Sequence, residues 1–212
     1  MILHTVPSCT LSLYQRLFKR TFDLCAALAG IVLLAPVMML AALAIRLEDG
    51  HPALFVQTRV GRGNRLFSMY KFRSMQPDRC DDLGSRSTVH NDERLTRVGW
   101  FIRRTSIDEL PQLFNVLRGE MSIVGPRPHA LGSRVGSRLF WEIDRQYWHR
   151  HALKPGMTGL AQVRGLRGPT EYEEDLTRRL ASDLEYAHGW SMWADLWIVI
   201  RTIRVLIHPR AF

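Results

Sequence analysis

From Leu24 to Ile45 the sequence carries no charged residue, while Arg16, Lys19 and Arg20 precede the run and Arg46 follows it. As a single helix this run would reach about 33 Å, enough to cross a hydrocarbon core. A secretory signal fits poorly: Ala42-Leu43-Ala44 mimics a cleavage site, but the run is too long and its charged leader too extended. Two readings remain open. A spanning helix is the default for such a run, and proline is tolerated in spanning helices. Against it, Pro36 lies mid-run, where proline breaks or kinks a helix. Both flanks are also basic, whereas a spanning segment concentrates positive charge on its cytoplasmic side. A helix that enters, bends at Pro36 and returns to the same face accounts for both observations. The chain accordingly divides into a leader over 1–15, a membrane segment over 16–48 and one further domain over 49–212.

The remaining length suffices for one hydrophobic core. A net charge of +9 suits an anionic partner: nucleic acid, an anionic membrane surface or a phosphorylated substrate. Cys9, Cys25 and Cys80 are odd in number and irregularly spaced, so they form neither a disulfide framework nor a metal site.

The densest chemistry lies between Leu95 and Pro128, where the adjacent acids Asp108-Glu109 stand between Arg103-Arg104 and Arg127. Leu110, Leu113, Phe114 and Leu117 fall on one face of a short helix that Gly119 ends. Ser106-x-x-Glu109 reads as a capping box starting that helix, while Pro111 argues for a slightly later start. Either start leaves both carboxylates at the positive end of a helix dipole. Two carboxylates among three arginines, beside a Val-Gly-Pro-Arg-Pro turn, suit phosphate and a divalent metal together, since arginine's planar fork matches phosphate oxygens and carboxylates share Mg²⁺ with phosphates. The plainer alternative is that the acids only cap the helix.

Around this block, residues 52–59 and 65–72 read as a strand hairpin turned at Gly61-Arg62-Gly63-Asn64. Arg59, Arg62, Arg65, Lys71 and Arg73 along it form either a solvated, membrane-facing edge or, for Lys71 and Arg73, part of a substrate site. Residues 77–93 read as a polar loop. An amphipathic helix is expected over 131–152, with His149 and His151 as surface residues. A turn at Lys154–Gly159 leads into a short strand over 160–163. Arg164 and Arg167 then sit in a glycine-lined loop that would let backbone approach a phosphorylated ligand, or is simply a basic turn. A helix over 171–186 follows. The last helix carries Trp193, Leu196, Trp197, Ile200 and Ile203 on one side and Arg201, Arg204 and Arg210 toward its polar side and end, a pattern that suits a membrane surface or burial on the body of the protein.

Taken together, KRTFDL, DGHPALFVQTRVGRGNRLFSMYKFRSM, the Leu95–Pro128 block and KPGMTGLAQVRGLRG closely resemble the bacterial sugar transferases, the monotopic phosphoglycosyl transferases. The resemblance runs from about Lys19 to the C-terminus. It implies an α+β, predominantly helical, membrane-associated monotopic fold with an N-terminal re-entrant helix hairpin broken at Pro36, a small β-hairpin and amphipathic interfacial helices. It also implies transfer of a hexose-1-phosphate from a UDP-sugar to undecaprenyl phosphate, with release of UMP, at the cytoplasmic face of the bacterial inner membrane. Asp108 would be the nucleophile and Glu109 a ligand of Mg²⁺, with Asp108 beside it. Arg103 and Arg127 would hold the phosphates, and Lys71, Arg73, Arg164 and Arg167 would line the substrate site. UDP-glucose is the first expectation and UDP-galactose the second. The sequence departs from the family at Gly168-Pro169-Thr170, where relatives often carry Gly-Glu-Thr, and at Ala35, where a hydroxyl often precedes the proline. Oligomeric state is not legible, with a homodimer as one option. Nucleic-acid binding is disfavoured because no such motif appears. A non-catalytic membrane assembly protein is the other rival, opposed by the acid pair and its arginines.

Overall fold

The computed structural model describes residues 11–81, 83–84 and 92–207. The first ten residues of the expected leader, Asp82, much of the expected polar loop and Arg210 lie outside the described residues, as does the side chain of Arg204. About 56 % of the described residues are helical, and the fold is α+β with small two-stranded sheets.

One helix, α1 (Leu13–Asp49), runs for 37 residues, or about 55 Å. Ser12 and Gln15 form a reciprocal capping box at its start, so the helix begins inside the segment expected to be leader. Gly50, at φ 75°, ends it. Helical backbone continues through Pro36 without a break, so the helix break expected there is not seen. The side of α1 facing the body is built from small residues: Ala27 and Ala41 are buried, and a Cβ on Gly30 would stand 3.3 Å from Leu113. On its other side Leu28, Val32, Leu33, Leu40 and Leu43 are each more than half exposed, and only 17 % of its most apolar window is buried. Both ends are tied to the same body. Lys19 Nζ reaches Asp195 Oδ2 at 2.6 Å, and Arg20 donates to the carbonyls of Val116 and Leu117. Thirty residues on, Asp49 pairs with Arg73, and Glu48 accepts the N–H groups of Arg97 and Val98.

Strands β1 (Leu54–Val60) and β2 (Leu66–Phe72) pair antiparallel, close to the expected hairpin. The turn between them needs left-handed residues, supplied by Gly63 and Asn64. Helices α2 (Arg97–Arg104) and α3 (Gln112–Arg118) pack on that hairpin and on α1. Fully buried Asn115 of α3 fastens to the strand edge, accepting from Tyr70 N–H and donating to the Ser68 carbonyl.

The capping box expected at Ser106 does not form. Ser106 sits at φ 56°, its side chain caps nothing, and a 3₁₀ turn over Ile107–Glu109 intervenes before α3. Pro111 stands at the N-cap of α3, so the acids precede that helix rather than occupying its first turn.

Strands β3 (Ser122–Val124) and β6 (Gly156–Thr158) pair in parallel. The long helix expected over 131–152 is absent. In its place are a tight hairpin, β4 (Arg134–Val135) and β5 (Arg138–Leu139), turned at Gly136 (φ 57°), then α4 (Phe140–Ile143) and a 3₁₀ turn over Tyr147–Ala152. Its aromatics do enter a core, with Phe140 and Tyr147 buried against Val135 and Leu176. The strand expected over 160–163 is a helical turn, α5 (Leu160–Val163); the strand falls earlier, where a Cβ on Gly156 would lie 2.1 Å from Gly125 N. Helices α6 (Glu173–His188) and α7 (Met192–Ile207) are the last described elements. On α7 Ile198 and Asp195 face inward, whereas Trp193, Trp197, Ile200 and Ile203 are exposed, which answers the choice between burial and surface for that face.

Candidate active site

The 3₁₀ turn between α2 and α3 presents Asp108 and Glu109 to a cavity of about 590 Å³, bounded by β1, β2, the loop after β3, the loop after α5, and α6. The two acids are neighbours in sequence but opposites in environment. Glu109 is held by two cations: Arg127 clamps both its oxygens, with Nη1 to Oε2 at 3.2 Å, and Lys71 Nζ lies 3.4 Å from Oε1. Burial pushes the Glu109 pKa up, but the guanidinium of Arg127 and then Lys71 outweigh it and hold the carboxyl well below the ordinary range. Asp108 is buried and has no ion-pair partner within salt-bridge distance among the described residues. Burial raises its pKa above the usual value, with Lys71 opposing. The pair is thus split into a carboxylate locked in its charged form and a more basic one facing open space, the pattern by which neighbouring acids take different roles.

The cavity wall is strongly cationic. Nine of its residues are Lys or Arg against five Asp or Glu, an excess that suits an anionic ligand. Arg103 has a buried Nη1, and Arg59 and Arg179 a buried Nε, with no hydrogen-bond partner among the described residues. Unpaired buried donors are costly unless a ligand or water meets them. Burial brings the Arg59 pKa down to about 10, with Arg127 adding to the effect.

The loop after β3 carries Arg127 and is fixed at each residue by main-chain contacts. The Val124 carbonyl accepts from Lys19 Nζ at 2.9 Å and from Tyr186 Oη at 3.1 Å. Gly125 N–H donates to the Thr158 carbonyl, and Gly156 N–H to that of Pro126. Arg150 Nη2 donates to the Arg127 carbonyl at 2.8 Å. Glycine is required at 125, because a Cβ there would lie 2.4 Å from the Lys154 carbonyl oxygen. Arg150 is itself fully buried, bound through Nε and Nη2 to Asp183 Oδ2 and through Nη1 to His129 Nδ1. Burial, then Arg150, holds the His129 pKa well below its usual value, so the ring is neutral with Nδ1 as acceptor.

The structure brings together Lys71, Arg103, Asp108, Glu109, Arg127 and Arg167. Arg167 reaches the acid turn directly, donating from Nη2 to Ser106 Oγ at 3.0 Å. Arg73 lines the same cavity, but Asp49 and the Pro52 carbonyl take its donors, so it ties α1 to β2. Arg164 is not part of the site: it stands exposed in a two-point ion pair with Glu185. The surface assignment for His151 is also corrected. It is buried, with Nδ1 2.6 Å from Asn64 Oδ1, because Tyr147 and Trp148 enclose its ring. Sequence reasoning missed Arg59, His129, Arg150, Arg179 and Asp183; the polar cluster His149-Arg150-His151 among aromatics was the one available signal.

Among the described residues no three His, Cys, Asp or Glu side chains gather into a metal cage. Mg²⁺ is commonly held by one or two carboxylates together with substrate phosphates, and Asp108 with Glu109 in a cationic cavity fits that donor set.

The chain thus joins a long apolar helix to a strongly cationic cavity bearing two differentiated carboxylates. The family model for the bacterial sugar transferases matches residues 14–209, so the chain belongs to that family. It is 50 % identical over 200 residues to an undecaprenyl-phosphate glucose phosphotransferase of Komagataeibacter xylinus, covering 94 % of this chain and 38 % of that protein. It is 50 % identical over 185 residues to the exopolysaccharide production protein PSS of Rhizobium leguminosarum bv. phaseoli, covering 87 % and 92 %. A UDP-glucose:undecaprenyl-phosphate glucose-1-phosphate transferase of Caulobacter vibrioides is 49 % identical over 191 residues, covering 89 % and 69 %.

Proposed function

We propose that this protein transfers glucose-1-phosphate from UDP-glucose to undecaprenyl phosphate with release of UMP, the initiating step of exopolysaccharide or capsule synthesis. The names of the Komagataeibacter and Caulobacter relatives support the substrate pair, and that of the Rhizobium relative supports the pathway class. The observation that carries the reading is the buried acid pair, split into locked Glu109 and unpaired Asp108 within a cationic cavity.

In this mechanism an Asp108 carboxylate oxygen attacks the sugar-proximal phosphorus. The bond from that phosphorus to the bridging oxygen breaks, UMP leaves with the electron pair, and an aspartyl-phosphosugar remains. A phosphate oxygen of undecaprenyl phosphate then attacks the same phosphorus and releases Asp108, giving the undecaprenyl diphosphate sugar. Arg103, Arg127 and Arg167 bind and orient the diphosphate; catalysis of this kind is mostly positioning and electrostatic stabilisation. Lys71 opposes the upward shift that burial imposes on Asp108 and so favours its carboxylate form. Mg²⁺, held by Glu109 with Asp108 beside it, would neutralise charge on the diphosphate and the departing UMP.

The acceptor is a long lipid, so the site must stand at headgroup height. The apolar side of α1 and the exposed tryptophans of α7 support anchoring there. Because both ends of α1 are tied to one body and each carries basic residues, we read α1 as entering and leaving on the cytoplasmic face of the inner membrane. That path requires the continuous helix to kink at Pro36, where proline removes a backbone hydrogen bond. The test is UMP release from UDP-glucose with Mg²⁺ and undecaprenyl phosphate, for wild type and Asp108→Asn. Release abolished in the variant is expected. Wild-type release by Asp108→Asn would remove the nucleophile, and release with UDP-galactose alone would change the sugar.

A further inference from the structure

A second cavity of about 640 Å³ opens beside the hairpin turn, lined by Arg62, Arg65 and Lys154, with Glu120 as the one carboxylate on its lining. It shares no lining residue with the acid-pair cavity. Lys154 is half-buried, and its ammonium has no ion pair among the described residues; burial, then Arg20, with a further contribution from Arg62, draws its pKa down, and Asp23 opposes. A Cβ on Gly119 would lie 3.4 Å from Lys154 Nζ and 3.5 Å from Arg20 Nη2, so two cations converge on the end of α3. Arg20 donates to two carbonyls, neutral acceptors that leave its charge uncancelled. Glu120 is engaged by Asn115 Nδ2, and Asp23 by Ser122, Ile123 and Lys19. Among the described residues, Arg62, Arg65 and Lys154 on the lining, with Arg20 beside Lys154 at the end of α3, therefore outnumber the one lining carboxylate, Glu120.

The depth of this cluster points to its ligand. Arg20 precedes the uncharged run by four residues, about 6 Å along the helix axis, which sets it at headgroup level wherever α1 enters a bilayer. Basic pockets at that level bind anionic lipid headgroups. We propose that this cavity is a phosphate-binding site separate from the acid-pair cavity, and that it holds the headgroup of an anionic phospholipid beside the entry point of α1. The inference rests on membrane association of α1 and is independent of the transferase chemistry.

The test uses the full chain taken from bilayers of mixed phosphatidylglycerol and phosphatidylcholine into mild detergent, with retained lipid counted by native mass spectrometry. Lys154→Gln and Arg62→Gln/Arg65→Gln should lower phosphatidylglycerol retention by about fivefold for each charge removed. The control Arg145→Gln/Arg178→Gln, which removes two exposed charges outside this cavity, should retain lipid as wild type does. All four proteins should unfold at the same temperature, and Arg62 and Arg65 are exposed enough that their double variant keeps the fold. Equal retention in every variant overturns the site, as does an equal loss in the control. Binding of inorganic phosphate without lipid, lost in Lys154→Gln, would keep the phosphate site and overturn the lipid assignment.

Discussion

Replacing Arg150 by methionine separates the fold from the site. Arg150 and Asp183 are 2 % and 3 % exposed, and the arginine also serves His129 Nδ1 and the Arg127 carbonyl. Removing one partner strands a buried carboxylate, at a cost of about 3–5 kcal/mol. In a chain of this size each kcal/mol lowers the melting temperature by about 2–4 °C, so Arg150→Met should melt roughly 6–20 °C below wild type. Replacing the pair together, Arg150→Met with Asp183→Leu, should recover most of that loss, because an apolar pair of similar volume is often neutral. Activity should not recover with it, since the carbonyl of Arg127 still lacks its donor and the clamp on Glu109 loosens. Differential scanning fluorimetry and UMP release read the two effects apart. A single variant melting within about 2 °C of wild type, or a double variant as unstable as the single, would refute the reasoning.

Lys71→Met removes the cation that most opposes the upward shift of Asp108. Because the attacking carboxylate must be ionised, the acid limb of kcat/KM should move to higher pH, each unit costing about tenfold below the limb. Asp49, whose pKa falls from 3.8 to about 2 chiefly through hydrogen bonds from Arg73, should contribute stability at neutral pH that is lost as pH falls from about 4 to about 2. Asp49→Asn should flatten the melting temperature across that window. Trp193→Ser with Trp197→Ser should weaken sedimentation with lipid vesicles severalfold, leaving the melting temperature in detergent unchanged, because both side chains face outward from α7.

The hairpin, the long apolar helix and the acid pair were legible because each rests on local pattern: alternation, an uncharged run, adjacent like charges. What was not legible depends on contacts distant in sequence. Ser106-x-x-Glu109 satisfies the capping-box spacing, yet Arg167, sixty-one residues on, takes the Ser106 hydroxyl and the backbone turns left-handed. The periodic aromatics over 131–152 have a helical look, but Gly136 and the burial of Phe140 and Tyr147 are met by a hairpin and two short helical turns. Arg164 and Arg167 look alike in sequence; Glu185 takes the first and the acid turn the second. Arg59 looked like a membrane-facing edge charge, and only its bridge to Ala130 and its contact with the Pro128 carbonyl bring it inward.

The nucleophilic role of Asp108 is tested most directly by trapping what it carries. Wild-type protein would be mixed with Mg²⁺ and UDP-glucose labelled in the sugar, without lipid acceptor, quenched in acid and digested for mass spectrometry. Close to one UMP should be released per enzyme, with a hexose phosphate on the peptide containing Asp108 that is discharged when undecaprenyl phosphate is added. UMP release that begins only with the acceptor present, and a peptide that never carries the sugar phosphate, would contradict that role.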